Sequence, residues 1–368
     1  MHRDAQLIKA VKRTMSYTPI LKGKSGEGAA LKNLSNLTLD RTFPIIEIPP
    51  IPTAFSKDEP GVPEGKTRSL GQHLDVFVRG IAGRVPRDLK FAIDFCNLDR
   101  DESMLLNPID YVFSKFRQEG CSPVPVLRTR EDSKFAPELL SIVDQSNSTF
   151  VVRVNREDSR FPTAVLTRLS TLAATAGVSL AQLAVIFDYG MITRGDVDDV
   201  VQEWQAIEEE LPLEQFFMST VVATSMPDSV TLDLKPFDTD SIPRLEWQAW
   251  KQANLLQLGF GDYGVNSPGY FDEDIRLITI GGKARYTTPD SWMIVKGIKL
   301  EKNGDQFHKL AQIIRDSQAG RRPGYSWGDM CINACADFEI GPGNLTSWVA
   351  FTTNHHLTMV ARQLANCV

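Results

Sequence analysis

TPILKGKSGEGAALKNL, residues Thr18–Leu34, decides how the rest of the chain is read. A short apolar run, Pro19-Ile20-Leu21, passes into a charged, glycine-rich turn from Lys22 to Glu27 and then into Ala and Leu at helical spacing. That order is strand, loop, helix. The loop sets Lys22 and Lys24 where a strand ends and a helix begins, a place where unpaired N–H groups and the helix dipole favour anions. KGKSGEG is not a P-loop, because its Gly-Lys-Ser lacks the upstream glycine at the required spacing.

The same unit recurs along the chain. FPIIEI within Thr42–Ile51 is a second strand ending on Glu47, followed by a Pro- and Gly-rich loop, Pro52–Lys66, that reads as a lid or flap. A helix is expected from Ser69 to Gly83. LKFAIDF (Leu89–Phe95) ends on Asp94 and leads to a helix over 108–119; PVPVLR (Pro123–Arg128) leads to a helix from Phe135; TFVVRV (Thr149–Val154) leads to a helix over 162–176. LAVIFDYG (Leu183–Gly190), EQFFMSTVVATS (Glu214–Ser225) and LLQLGF (Leu255–Phe260) complete the set, with helices over 197–210 and 244–254 between them. Eight nearly all-apolar runs alternating with helical patterns indicate parallel strands covered by helices. The fold expected is a (β/α)8 TIM-like barrel, with a doubly wound open sheet as the alternative.

Past the eighth run the rhythm breaks. Arg276–Ile280, Ala284–Thr287 and Trp292–Val295 read as short antiparallel strands, a β-hairpin insertion. The expected organisation is one barrel domain with its core over about 17–260 and 304–318, an insertion over about 265–300 and a C-terminal extension over 321–368. In that scheme Asp305–Ser317 is the closing barrel helix, Ser347–Asn366 is an extra helix packed on the barrel, and the hairpin is removable without loss of the fold.

Composition bounds the function. At 368 residues and 42% hydrophobic content the chain can bury a large core, and a net charge of −6 argues against a surface that coats nucleic acid. Five cysteines without a CxxC read as reduced thiols; Cys331 and Cys335, four apart, fall on one helical face as small buried side chains. No run approaches the about 18 apolar residues of a membrane span, and MHRDAQLIKAVKRTMSY has no signal-peptide core. The expected location is the cytoplasm, without membrane partners.

In a barrel the strand ends converge on one mouth, which gathers Lys22, Lys24, Glu47, Asp94, Arg128, Arg153, Asp188 and Asp262. Two readings follow. Acids and arginines can neutralise one another as a buried ion-pair network. Alternatively, Glu47, Asp94 and Asp188 act as acid and base or hold a divalent cation such as Mg²⁺ or Mn²⁺, while Lys22, Lys24, Arg128, Arg153 and Asp262 bind a phosphorylated small molecule or nucleotide. Under the second reading Arg153→Ala weakens ligand binding and leaves stability unchanged; under the first it destabilises the fold. Arg128 and Arg153 belong to an echo, LRTREDSKF against VRVNREDSRF, whose Asp-Ser part is explained by helix capping. Asp-Tyr-Gly also occurs twice, at Asp188–Gly190 and Asp262–Gly264. His355 and His356 are adjacent, so a helix points their rings about 100° apart and they read as packed histidines.

PILKGKSGEGAAL, FPIIEI and TSWVAFTTNHHLTMVARQL together resemble the beta-protein family, named after a T-even bacteriophage protein and found in phages and bacteria. By motif the resemblance covers Lys22, Gly23, Lys24, Glu27, Glu47, His355 and His356. It implies a phage or mobile-element setting, with a part in phage–host conflict, and supplies no reaction. The function expected is binding of an anionic small molecule or nucleotide at the barrel mouth, with metal-dependent phosphoester hydrolysis as the reaction such groups could run. The alternative is a non-catalytic scaffold that binds a protein partner.

Overall fold

The computed structural model describes residues 17–98, 107–129, 136–142, 149–228, 230, 234–270, 272–277, 281–299 and 304–367. The N-terminal segment 1–16, the helix onset expected at Phe135 and positions 278–280 lie outside them. Ile20–Leu21, Ile45–Glu47, Ala92–Asp94, Val124–Arg128, Phe150–Asn155, Leu183–Met191, Met218–Thr224 and Gly259–Gly261 form one eight-stranded sheet in chain order. Every neighbouring pair is parallel. The last strand returns to the first: Thr18 N–H donates to the Phe260 carbonyl at 2.9 Å and Ile20 N–H to the Asp262 carbonyl at 2.8 Å. The sheet is therefore nearly closed and barrel-like, and its edges are covered.

Helices fill the intervals because the turns are capped. Ser69 accepts from Gln72 N–H to start Leu70–Ala82, Asn107 accepts from Ile109 N–H to start Pro108–Gln118, and Gly177 at φ +68° ends Pro162–Ala176. Strand periodicity then sorts the side chains. Ile20, Ile45, Ala92, Val126, Val151, Ala184 and Ile186 share the inner cluster. Their neighbours Leu21, Ile46, Ile93 and Leu127 face the helices in one outer cluster, and Val152, Val185 and Phe187 do so in another. Among the described residues no helix is long and apolar enough to cross a membrane.

Three expectations change. The loop Pro52–Lys66 carries a small hairpin, Thr53–Phe55 with Pro63–Lys66. The antiparallel sheet pairs Gly281–Thr287 with Ser291–Lys299, and its third described member is Thr239–Pro243; of the strand expected over Arg276–Ile280, Arg276 and Leu277 sit in a single helical turn, Ile275–Leu277, and 278–280 lie outside the described residues. The helix over 305–317, observed as Gln306–Asp316, does not close the barrel. Phe307, Leu310 and Ile314 pack with Tyr286 and Val295 of the hairpin and with Ile332 and Trp348. The barrel side is covered by the C-terminal helix Leu345–Asn366, whose Leu357, Val360 and Leu364 join Tyr17, Leu21, Leu31 and Phe260. Buried polar residues on that helix, among them Asn354, His355 and His356, hid this role by interrupting its apolar pattern.

Those groups are paired. His356 Nε2 donates to Asp262 Oδ2 at 2.8 Å while its Nδ1 meets the Thr287 hydroxyl at 2.9 Å. His355 lies between Asp329 Oδ2 and the Thr287 carbonyl, both at 2.9 Å, and Asn354 Nδ2 donates to the Ala30 carbonyl. The two histidines thus serve different neighbours, as adjacent helical positions must. Because Thr287 belongs to the hairpin, deleting Gly281–Lys299 uncovers an apolar core and strands two buried imidazoles. We expect the deleted protein to lose cooperative thermal unfolding by circular dichroism; a sharp transition near the parent Tm would instead make the hairpin dispensable.

Candidate functional site

Period-two alternation carries the strand ends to the barrel interior. With Ile45, Ala92, Val126, Val151 and Ile186 inside, Glu47, Asp94, Arg128, Arg153 and Asp188 two positions on are inside as well. Register places Glu47 beside Asp94 and Arg128 beside Arg153. Arg153 is the hub. Its Nη1 donates to Glu47 Oε1 at 2.8 Å and to Asp94 Oδ2 at 2.6 Å, its Nε donates to Asp188 Oδ2 at 2.8 Å, and its Nη2 donates to the Tyr263 hydroxyl at 2.8 Å. Arg128 adds longer contacts, 3.3 Å to Asp94 and 3.4 Å to Glu47. Tyr263 donates in turn to Asp188 at 2.8 Å.

The electrostatics follow from burial. Arg153 and Glu47 side chains are 4% exposed and Asp94 is fully buried, so each charge needs its partner. Burial alone would raise the Asp94 and Asp188 carboxyls, but Arg128 and Arg153 outweigh it and hold both below the usual range. Lys22 caps this cluster: its ammonium donates to the Gly269 carbonyl and lies 4.7 Å from the centre of the Tyr270 ring, whose hydroxyl reaches Glu47 Oε2 at 3.3 Å. Burial and the neighbouring Lys24 lower the Lys22 pKa.

Asp262 does not join the mouth. Phe260 faces outward, so Asp262 does too, and it is fully buried against Tyr17 OH at 2.7 Å and His356. Its place in the mouth is taken by Tyr263, one residue on. The two Asp-Tyr-Gly tripeptides make the same turn, with Gly190 and Gly264 at φ +59° and +62° and their N–H groups on the preceding Asp at 2.9 Å. They sit in opposite phase: Asp188 and Tyr263 face in, whereas Tyr189 and Asp262 face out.

Lys24 lies apart from Arg153, at the lip. It lines a cleft of about 610 Å³ between the first turn of helix Ser25–Lys32, helix Leu70–Ala82 and the start of the C-terminal helix. Arg68 and Arg84 also line it, as do Tyr270, Phe77 and His73. Three cations face one carboxylate, Asp272, which already accepts from Thr53. The glycines of KGKSGEG make the cleft possible. Gly23 at φ +63° would place a Cβ 2.6 Å from the Glu47 carbonyl, and a Cβ on Gly26 would lie 2.8 Å from the Thr346 carbonyl. Arg68, Arg84 and His73 gave no signal in the sequence, since helix and loop residues near the lip follow no strand-end rule.

Glu47, Asp94 and Cys96 offer ligand atoms within 4.8 Å of one another. They do not fit a hard cation: both carboxylates are held by Arg153, and the third group is a thiol whose pKa burial raises.

A nearly closed parallel sheet whose inward strand ends form a charged ring at one mouth defines a barrel-like α/β protein. Residues 17–362 match the family described as Beta protein, and the chain belongs to that family. No curated protein and no solved structure matches it.

Two outcomes follow. Arg153→Ala leaves three carboxylates without their hub and should cost about 3–5 kcal/mol in denaturant unfolding; a change below about 1 kcal/mol would mean that the network contributes little. Glu27, buried beside Lys22, has its pKa raised to about 7 by burial, which outweighs the lowering by the Lys24 N–H and both lysines. Between pH 4.5 and 7 the native state therefore keeps a proton that the unfolded chain has lost, so stability falls as pH rises through that window. Glu27→Gln should remove this decline, by roughly 3 kcal/mol at most; an unchanged pH profile would place the Glu27 pKa elsewhere.

Proposed function

We propose that the chain is a TIM-type (β/α)8 barrel with a hairpin insertion after its eighth strand, and that it binds an anionic small molecule in the cleft beside the mouth. The observation that carries this reading is the cleft itself: Lys24, Arg68 and Arg84 share it with the first turns of two helices. N–H groups in a first turn have no acceptor within their own helix, so they add to the attraction for an anion. The arginines of the mouth support the reading in a different sense. Arg153 and Arg128 are committed to Glu47, Asp94 and Asp188, so the surplus positive charge lies at the lip with Lys24.

Phosphoester hydrolysis gains no support from these contacts, because the acids that would hold Mg²⁺ or Mn²⁺ are neutralised by Arg153. A scaffold that binds a protein partner is the second reading, and the paired network favours it as far as the mouth alone is concerned. The phage or mobile-element setting rests on the family resemblance.

Pyrophosphate titrated calorimetrically into the protein should bind, and more weakly as salt rises. Lys24→Ala and Arg84→Ala should each weaken it about 10- to 150-fold with Tm nearly unchanged. No heat with pyrophosphate or phosphate at low salt would leave the scaffold reading standing.

A further inference from the structure

We infer that the ligand of this cleft is a nucleoside phosphate, with its phosphates at the Arg84 end and its base at the Tyr270 end. The inference rests on the anion-binding reading above and adds the organic part of the ligand. The two ends of the cleft differ in chemistry. At one end, Arg84 packs against Gly28, and Gly26 packs against Thr346, so a guanidinium and two helix N-termini face the same space. Arg84 Nη1 donates to the Gly80 carbonyl at 2.8 Å and Asn344 caps Ser347 N–H, so the other guanidinium donors and first-turn N–H groups are the ones suited to phosphate oxygens.

The other end is aromatic and can read hydrogen bonds. Tyr270 supplies a half-buried ring with Lys22 and Lys24 over it, and Pro49 and Pro50 supply an apolar floor. Asp272 is an exposed acceptor there. His73 is 5% exposed, its Nε2 is 2.7 Å from the Pro49 carbonyl, and its Nδ1 has no hydrogen-bond partner. Since a carbonyl only accepts, Nε2 carries the proton and Nδ1 is left as a bare acceptor. Burial lowers the His73 pKa, which keeps the ring in that neutral form. A buried acceptor without a donor is costly, and amino groups on a base's edge are donors of the kind it lacks. Lys24 lies over the Tyr270 ring, 5.4 Å from its centre, so the aromatic end carries a cation of its own. A simple anion would fill the first end and leave the aromatic one wet. The volume, about 610 Å³, is within the range that takes a ligand with both parts.

Calorimetric titration of the intact protein with ADP, pyrophosphate and adenosine tests this. ADP should bind at least about tenfold tighter than either fragment, a factor in line with the worth of stacking one base on an aromatic ring. Tyr270→Ala should weaken ADP about tenfold and leave pyrophosphate unchanged. Because Tyr270 also touches Glu47, the exposed Asp272→Ala is the second variant, and it should flatten the ranking among ADP, GDP, CDP and UDP. Pyrophosphate binding as tightly as ADP, or a ranking that Asp272→Ala leaves intact, overturns the nucleoside assignment while the anion reading stands. Failure of ADP and pyrophosphate alike overturns both.

Discussion

A guanidinium buried at the centre of a barrel mouth must be neutralised where it lies, and the strand ends of this protein are arranged around that constraint. Arg153 reaches Glu47, Asp94 and Asp188 on three other strands, and Tyr263 from the chain just past the last strand completes its donors. Only a sheet that curls until its first and last strands meet brings those positions within one side chain's reach. The network in turn rewards a single register, because a slip of one residue in any strand would send its charged end outward into the helices. Two arginines against three carboxylates leave a deficit of positive charge at the centre. Lys22, which feels the field of Glu47 from the rim, makes up that deficit.

Much of this was open to reading in the sequence, for a physical reason. Parallel strands buried on both faces are short apolar runs, and the first charged residue after such a run is the one that meets the mouth. Glu47, Asp94, Arg128, Arg153 and Asp188 are found that way, and the echo of Arg128 in Arg153 becomes a pair of register neighbours. Asp262 failed the same rule because position after a strand was counted without phase. Two residues back stands Phe260, which belongs to the outer face, and parity alone assigns Asp262 outward and Tyr263 inward.

The helices were legible at their caps and not in their partners. Gln306–Asp316 has the amphipathic pattern of a barrel helix and sits where chain order expects one, yet it packs on the hairpin sheet. What displaces it is a helix whose buried surface carries Asn354 and two histidines among its apolar residues, which interrupts the pattern that marks a core helix. Asn354, His355 and His356 each find a partner more than sixty positions away, so the pairing that makes these polar groups buriable is invisible to any local reading.

The two ends of the described chain turn out to be one structural unit. The KGKSGEG loop and the TSWVAFTTNHHL helix, far apart in sequence, touch through Gly26 and Thr346 and through Ala30 and Asn354. Gly26 allows the approach, and the approach sets two helix starts side by side. Gly23 meanwhile holds the turn against the Glu47 carbonyl, which ties the lip to the charged ring of the mouth. A larger residue at either glycine would open the cleft and shift Lys24 together, so the glycines and the lysines of this loop answer to the same geometry. That accounts for the company these residues keep in one short motif: the backbone needs the glycines to bring the elements together, and the space so formed is where the lysine has something to face.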